Sequence, residues 1–373
     1  IRLYNRSGRP LQRLRLLHSA TDAAWSPDGT TFAVGSSSGE VTVWKVGRDV
    51  PVSTFATTTA PVTALSFNRT TMLIGSGTHL RLVDLATGKV KTVNLASAVL
   101  AGVLGPTGNV LAVANRSGKS TTASLRSTRT GRVIRRLPEP GIRSFAFSPD
   151  GRLLASGSYD RTAQIWDART GKLRHVLQHT GYVLAERFSS DGQSLVTSSQ
   201  DGAAYVWDVG TGRRLLLLVG GPGAVGAVNA AAFSPDGTEI ATASANQLGT
   251  IYYSKDGRVV ASLAGHKDAV TSIDFDPSGR TVATGSTDGS ARLWAALPEG
   301  TLIRVDEREP AVPVRAVWAG NRLVSVAGHE ARLLTRSGRP VRSLKLPAPI
   351  TAVVTRSSRV AFLDQRGNVA TGW

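Results

Sequence analysis

The chain has 373 residues, with 44 Lys and Arg against 26 Asp and Glu, a formal net charge of +18, and no cysteine. Missing thiols exclude disulfides, thiolate nucleophiles and Cys-ligated metals. The charge admits nucleic acid, an anionic surface or an acidic protein as partner, although 36 of the 44 cations are Arg, a bias that GC-rich coding also produces.

The opening Ile1-Arg2-Leu3-Tyr4 has neither a Met start nor the apolar run of a secretory leader, so the chain reads as a module of a larger protein. From Trp25 onward one phrase recurs: Ser26-Pro27-Asp28-Gly29, Ser148-Pro149-Asp150-Gly151, Ser189-Ser190-Asp191-Gly192, Ser234-Pro235-Asp236-Gly237 and Asp276-Pro277-Ser278-Gly279. Each follows an aromatic residue, and Pro with Gly presets a tight hairpin connection. With weaker copies at Phe67, Leu104, Trp318 and Val354, the nine positions are spaced by 36 to 45 residues, a period of about 41.

Inside each period the apolar residues alternate as half-buried strands do. The fourth repeat gives a first strand over 142–147, a second over 153–157, a third over 162–167 and a fourth over 173–177, each pair joined by a turn. No helical stripe of useful length occurs, so the fold is all-β. The uncharged run 215–235 carries Gly220, Gly221, Pro222, Gly223 and Gly226 in its middle, which makes a poor membrane-spanning helix. Two short strands around a loop are expected there.

The Trp166-Asp167 and Trp207-Asp208 pairs, the Gly265-His266 pair and the period resemble WD-repeat β-propellers. The resemblance covers essentially the whole chain and implies four-stranded antiparallel blades arranged as one propeller. It also implies structural tetrads, a His, a hydroxyl, an Asp and a Trp. Two repeats carry them at matching spacing: His179, Thr197, Asp201 and Trp207, and His266, Thr284, Asp288 and Trp294. Ser199 and Ser286 lie near enough to compete for the hydroxyl role. The fourth repeat keeps Ser156, Asp160 and Trp166 without the His. A chain of buried polar groups ending on a carboxylate satisfies all of them together. A catalytic reading of the same residues fails because the hydroxyl sits in mid-strand inside a blade.

Gly-bearing turns between third and fourth strands number nine, from Gly8 to Gly338. Eight blades run continuously over about 20–349, and the ninth is expected to combine 1–19 with 350–373. Ile1 to Pro10 closely matches Ala331 to Pro340, so the front reads as third and fourth strands. Pairing the two ends would close a nine-bladed ring with no free sheet edge. A third strand over 369–373 would make the division three plus one, and a piece of a longer tandem array is the rival to closure.

Other motif matches carry no chemistry. Gly35-Ser36-Ser37-Ser38-Gly39 spans a strand-to-strand turn, whereas a nucleophile elbow needs a following helix. Gly118-Lys119-Ser120 lacks the upstream Gly of a phosphate loop. No catalytic residue, cofactor or metal site is expected. Two binding surfaces remain. A loop face with Arg143, Tyr159, Arg161, Tyr182 and Gln200 suits a protein partner, since Tyr and Arg are frequent interface anchors. A basic sector with Arg2, Arg6, Arg9, Arg13, Arg332, Arg336, Arg339 and Arg342 suits an anion, as does the cluster Arg126, Arg129, Arg132, Arg135 and Arg136. The reading is a noncatalytic protein-interaction scaffold or sensor module, monomeric and cytoplasmic, of the kind found in bacterial signalling proteins. Nucleic-acid binding through the basic rim is the alternative.

Overall fold

In a computed structural model, which describes residues 2–4, 10–13, 20–45, 50–56, 59–117, 120–138, 140–219, 226–276, 278–288, 290–295, 304–305, 314–319, 322–327, 330–334, 340–345, 350–356, 359–364 and 369–372, the repeated phrase forms one recurring turn. The Ser148 hydroxyl donates to Asp150 Oδ1 at 2.6 Å and accepts the Leu153 N–H at 2.9 Å. Asp150 Oδ1 also accepts the Arg152 N–H, and Gly151 supplies the left-handed φ of 70° that the turn needs. At Asp276 the two roles are exchanged: the carboxylate accepts the Thr281 N–H, and Ser278 donates to it.

The chain divides into two compact units, 1–291 and 292–373. The first opens with an antiparallel pair, Arg2–Tyr4 with Pro10–Arg13. Six four-stranded antiparallel sheets follow, over 20–56, 62–94, 99–137, 142–178, 183–219 and 228–264, each with its strands in chain order. The hairpin Val270–Phe275 with Thr281–Ser286 ends this unit. The second unit contains the pairing of Leu293 and Trp294 with Val305 and Arg304, one four-stranded sheet from Val314–Ala319 to Pro340–Lys345, and a three-stranded sheet. Ile350–Arg356, Arg359–Asp364 and Val369–Gly372 form that last sheet, so the end of the chain supplies three strands and its start supplies two. All regular elements among the described residues are strands.

Register slips recur at fixed places. First and second strands slip between Val62 and Ala64, Ile142 and Ser144, Val183 and Ala185, and Val228 and Ala230. Third and fourth strands slip at Ile165/Trp166 and Val206/Trp207. Such bulges increase local twist.

The core lies between successive sheets. Leu154, at the centre of the fourth sheet, packs on one face against Ala112, Leu125 and Ile142, together with Trp166. Its neighbour Ala155 packs on the other face with Ile165, Leu177, Val183 and Leu195. Both faces of the second strand are therefore dry, which explains Leu153–Ser158, Ser194–Ser199 and Glu239–Ser244, each buried from its second residue to its last.

One acid interrupts this core. Glu186 sits on the first strand of the fifth sheet, in register with Thr197, and is buried. Its Oε2 accepts a 2.6 Å bond from Ser144 of the preceding sheet, while its Oε1 has no hydrogen-bond partner. Gly157 makes room for it, since a Cβ there would stand 2.6 Å from Oε2. Burial pushes the carboxyl up to about 7 against an ordinary 4.5. A raised carboxyl loses its contribution to stability as pH climbs through that range. Glu186→Gln is expected to be more stable than the parent at pH 8 by up to about 3 kcal/mol, with the gain shrinking toward pH 5. Urea midpoints at the two pH values measure it, and an equal difference at both would contradict the assignment.

Candidate functional site

Two polar chains lie inside the sheets. In the fifth sheet, Leu195 pairs with Trp207 and Thr197 with Tyr205, which puts Thr197 diagonal to Trp207. The indole N–H of Trp207 donates to Thr197 Oγ1 at 2.9 Å, and Thr197 Oγ1 lies 2.7 Å from His179 Nε2. His179 Nδ1 is 3.0 Å from the Leu177 carbonyl, which can only accept, so Nδ1 carries the proton and Nε2 accepts from the hydroxyl. Tyr205 and Trp207 close the pocket, with ring centroids 4.6 and 5.3 Å from His179. Burial pushes the imidazole down to about 4.

Asp201 does not join this chain. Its Oδ2 accepts from the Thr180 N–H and hydroxyl, the Gly181 N–H and the Tyr205 hydroxyl at 2.8 Å. Burial raises this carboxyl, but its hydrogen bonds, led by Thr180 and Tyr205, outweigh that and hold it below the ordinary value. The other set behaves differently. His266 Nδ1 donates to Asp288 Oδ2 at 3.0 Å, and His266 Nε2 accepts from Thr284 at 2.8 Å. Burial also raises Asp288, yet bonds from Ser290, the Lys267 N–H and His266 hold it well below the carboxylate range. Trp294 is buried in the second unit. In the fourth sheet the Trp166 indole donates to Ser156 at 2.9 Å.

These hydroxyls are closed to any substrate, because Ser156, Thr197 and Thr284 are all buried. Among the described residues, no three His, Asp or Glu side chains converge as a metal site.

Four of the five partner-face residues come together at the fourth and fifth sheets, Arg143 on the strand Ile142–Phe147 and Tyr159, Tyr182 and Gln200 outside the strands. The Arg143 guanidinium lies 5.2 Å over the Tyr159 ring and donates to its hydroxyl. Tyr159 meets Tyr182 edge-on at 5.1 Å, across the fourth and fifth sheets. The two tyrosines are 45% and 38% exposed. Gln200 is tied to Tyr182 through its N–H to the Tyr182 carbonyl at 2.9 Å. Arg161 adopts φ 72°, and its carbonyl accepts the His179 N–H.

Of the basic sector, Arg2 and Arg13 face each other in register, and Arg332 and Arg342 lie on neighbouring paired strands. Arg6, Arg9, Arg336 and Arg339 lie outside the described residues, as does most of the 220–226 loop. In the third sheet, Arg126 donates to Ser124 and the Gly131 carbonyl, and Arg135 reaches the Thr170 carbonyl of the next sheet. Sequence reasoning missed a cleft of about 430 Å³ between the first two sheets, floored by Phe55, Phe67 and Met72 and rimmed by Asp28, Lys45, Arg69 and Asp84. Its walls come from two repeats about 40 residues apart, so no local pattern marks it.

Thr197→Val is expected to strand both the indole N–H and the imidazole, lowering stability by about 1–3 kcal/mol in urea unfolding. The His179 ring should titrate by NMR near pH 4. Because its folded value lies below the unfolded one, it adds stability above about pH 6.5 that is lost as pH falls toward 4. A midpoint near 6.5 would refute the buried, neutral imidazole.

Comparison with known proteins follows the same repeats. Residues 9–45, 131–167, 171–208, 218–252 and 257–295 match the family model described as WD domain, G-beta repeat. The intraflagellar transport protein 122 homolog of Xenopus tropicalis is 38% identical over 71 residues, 19% of this chain and 6% of that protein. The periodic tryptophan protein 2 homolog of Dictyostelium discoideum is 28% identical over 182 residues, 45% of this chain and 19% of that protein. The POC1 centriolar protein homolog A of Danio rerio is 41% identical over 49 residues, 13% of this chain and 12% of that protein. The chain thus spans less than a fifth of each relative's length, and all three are eukaryotic, which gives no support to a bacterial setting. The matched repeats, the repeated four-stranded sheets and the Trp207–Thr197–His179 chain agree, and the chain belongs to the WD-repeat family.

Proposed function

We propose that the chain is a noncatalytic platform that holds a protein partner on the face carrying Arg143, Tyr159, Tyr182 and Gln200. The observation that carries this reading is a preassembled cluster: one guanidinium and two half-exposed rings already in contact across two sheets. Side chains fixed before binding lose little entropy when a partner arrives, and a rigid scaffold binds with little change of shape. The buried Trp207–Thr197–His179 chain lies in the same fifth sheet as Tyr182 and Gln200 and helps hold the loops that bear them.

Closure into nine blades belongs to the same proposal. Two of the three strands at the end, Ile350–Arg356 and Arg359–Asp364, would join the two at the start as the ninth four-stranded blade and complete the ring alongside the repeats between them. Because the chain has no cysteine, single cysteines placed at Ser7 and Thr371 can carry a dye pair. Efficient energy transfer is expected from a closed ring, and its absence would favour an open array.

The anion-directed reading rests on the Arg126, Arg129, Arg132, Arg135 and Arg136 cluster, of which Arg126 and Arg135 already engage backbone carbonyls. Affinity capture with the parent, a Tyr159→Ala/Tyr182→Ala variant and an Arg132→Glu/Arg136→Glu variant separates the two. The platform predicts capture that survives about 200 mM salt and is lost with the tyrosines. Loss only in the Arg variant, with steep salt dependence, would overturn it.

A further inference from the structure

The outermost strand of the fifth sheet, Arg214–Val219, is unlike its counterparts. Its ladder runs to Ala203–Asp208 alone, from Ala203↔Val219 to Trp207↔Arg214. Leu218 turns inward among Val196, Val206 and Tyr252, but Leu215, Leu217 and Val219 are 53%, 47% and 55% exposed. The strand therefore shows three bulky apolar side chains at alternate positions beside a backbone edge that pairs with no further strand, although its last carbonyl, Val219, accepts the Tyr252 hydroxyl at 3.0 Å.

Other outer strands also expose apolar residues but mix them with polar ones. Val133 and Ile134 stand beside exposed Arg135 and Arg136, Leu173 and Val176 beside Arg174 and Gln178, Val90 beside Lys91 and Thr92, and Val259 shares its strand with exposed Ser262. Charged and polar side chains on an edge are the usual guard against pairing with another chain. After Arg214 the fifth-sheet edge has none.

We propose that this edge is a docking site, separate from the tyrosine face, that takes an extended peptide segment of a partner protein as an antiparallel fifth strand. Backbone bonds along the edge would hold the segment, and alternate side chains would rest on Leu215, Leu217 and Val219, as in strand addition. Its charge follows from the ends of the strand. Arg213 and Arg214 are both exposed, and the Arg214 guanidinium lies 5.8 Å over the Tyr205 ring. An antiparallel segment would bring its C-terminal end to them, so that end carries Asp or Glu. A second copy of the chain fits worse. Two molecules of charge +18 repel, and one strand edge covers far less than the roughly 1,200–2,000 Å² of a stable interface.

The test uses the full 373-residue chain and a fluorescein-labelled peptide, Thr-Val-Thr-Val-Thr-Val-Asp-Glu. Saturable binding is expected by anisotropy, with slowed backbone hydrogen exchange confined to the strands over 203–219. Leu217→Lys should weaken binding at least about tenfold without changing the melting temperature. If that variant melts early, Leu215→Lys, which is not in register with Tyr205, reads the same contact. The Tyr159→Ala/Tyr182→Ala variant should bind the peptide as the parent does, so the two sites fail or stand independently. Absence of saturable binding, unchanged affinity in both Lys variants, or exchange protection elsewhere would overturn the proposal. So would a concentration-dependent dimer abolished by Leu217→Lys, which would make a second copy the occupant.

Discussion

Everything in this molecule rests on sheets that must bury both faces. A four-stranded sheet whose second strand, Leu-Leu-Ala-Ser-Gly-Ser, is buried on both faces is not built to stand alone in water. It is stable only between two others, and the paired clusters around Leu154 and Ala155 are that arrangement at residue scale. Repetition follows from the constraint: each sheet added covers its predecessor and exposes a new face needing cover. The Ser-Pro-Asp-Gly turns permit it. By satisfying their own N–H groups with a Ser hydroxyl and an Asp carboxylate, they let each hairpin reverse without drawing on the core.

The same constraint explains the buried polar chains. Within a dry stack an indole N–H cannot find water, so it must find a hydroxyl two positions along the neighbouring strand. Trp166 with Ser156 and Trp207 with Thr197 use one geometry, and the imidazole is added where the loop supplies it. Glu186 breaks the rule and shows its force. A carboxyl in an inter-sheet position gains one bond from Ser144 and nothing for its second oxygen, and its proton affinity rises accordingly.

The turns, the strand order within each repeat and the His266–Thr284–Asp288 link were legible because each is set by residues at a fixed offset in one repeat. The His179–Asp201 link looked identical by spacing and is absent. Tyr205 and Thr180 offer Asp201 two hydroxyls, and the Leu177 carbonyl satisfies the imidazole instead. Spacing reports proximity but not which acceptor wins when a competing carbonyl stands two residues away. Glu186 was illegible for a related reason: in Val183–Phe188 its partner and the Gly157 space both belong to the preceding repeat. Contacts between repeats, including the cleft lined by Phe55 and Phe67, are where single-sequence reading fails.

The +18 charge looks different once the outer strands are separated. Arg135 and Arg136, Lys91 and Arg174 sit where a sheet edge would otherwise invite pairing, and Lys91 and Arg135 also tie their strand to a neighbouring turn. Part of the positive charge thus protects a structure made of edges, which a propeller-type repeat multiplies with every sheet. An excess used for protection gives its meaning to the place where it is missing. On Arg214–Val219 the cations stop at the strand's start and Leu and Val occupy the exposed positions. A partner would therefore be recognised there by backbone pairing and apolar side chains, with charge setting only its direction. On the Arg143–Tyr159–Tyr182 face, the proposed recognition would be by fixed side chains instead. One family fold can hold both modes because its core asks nothing of either surface.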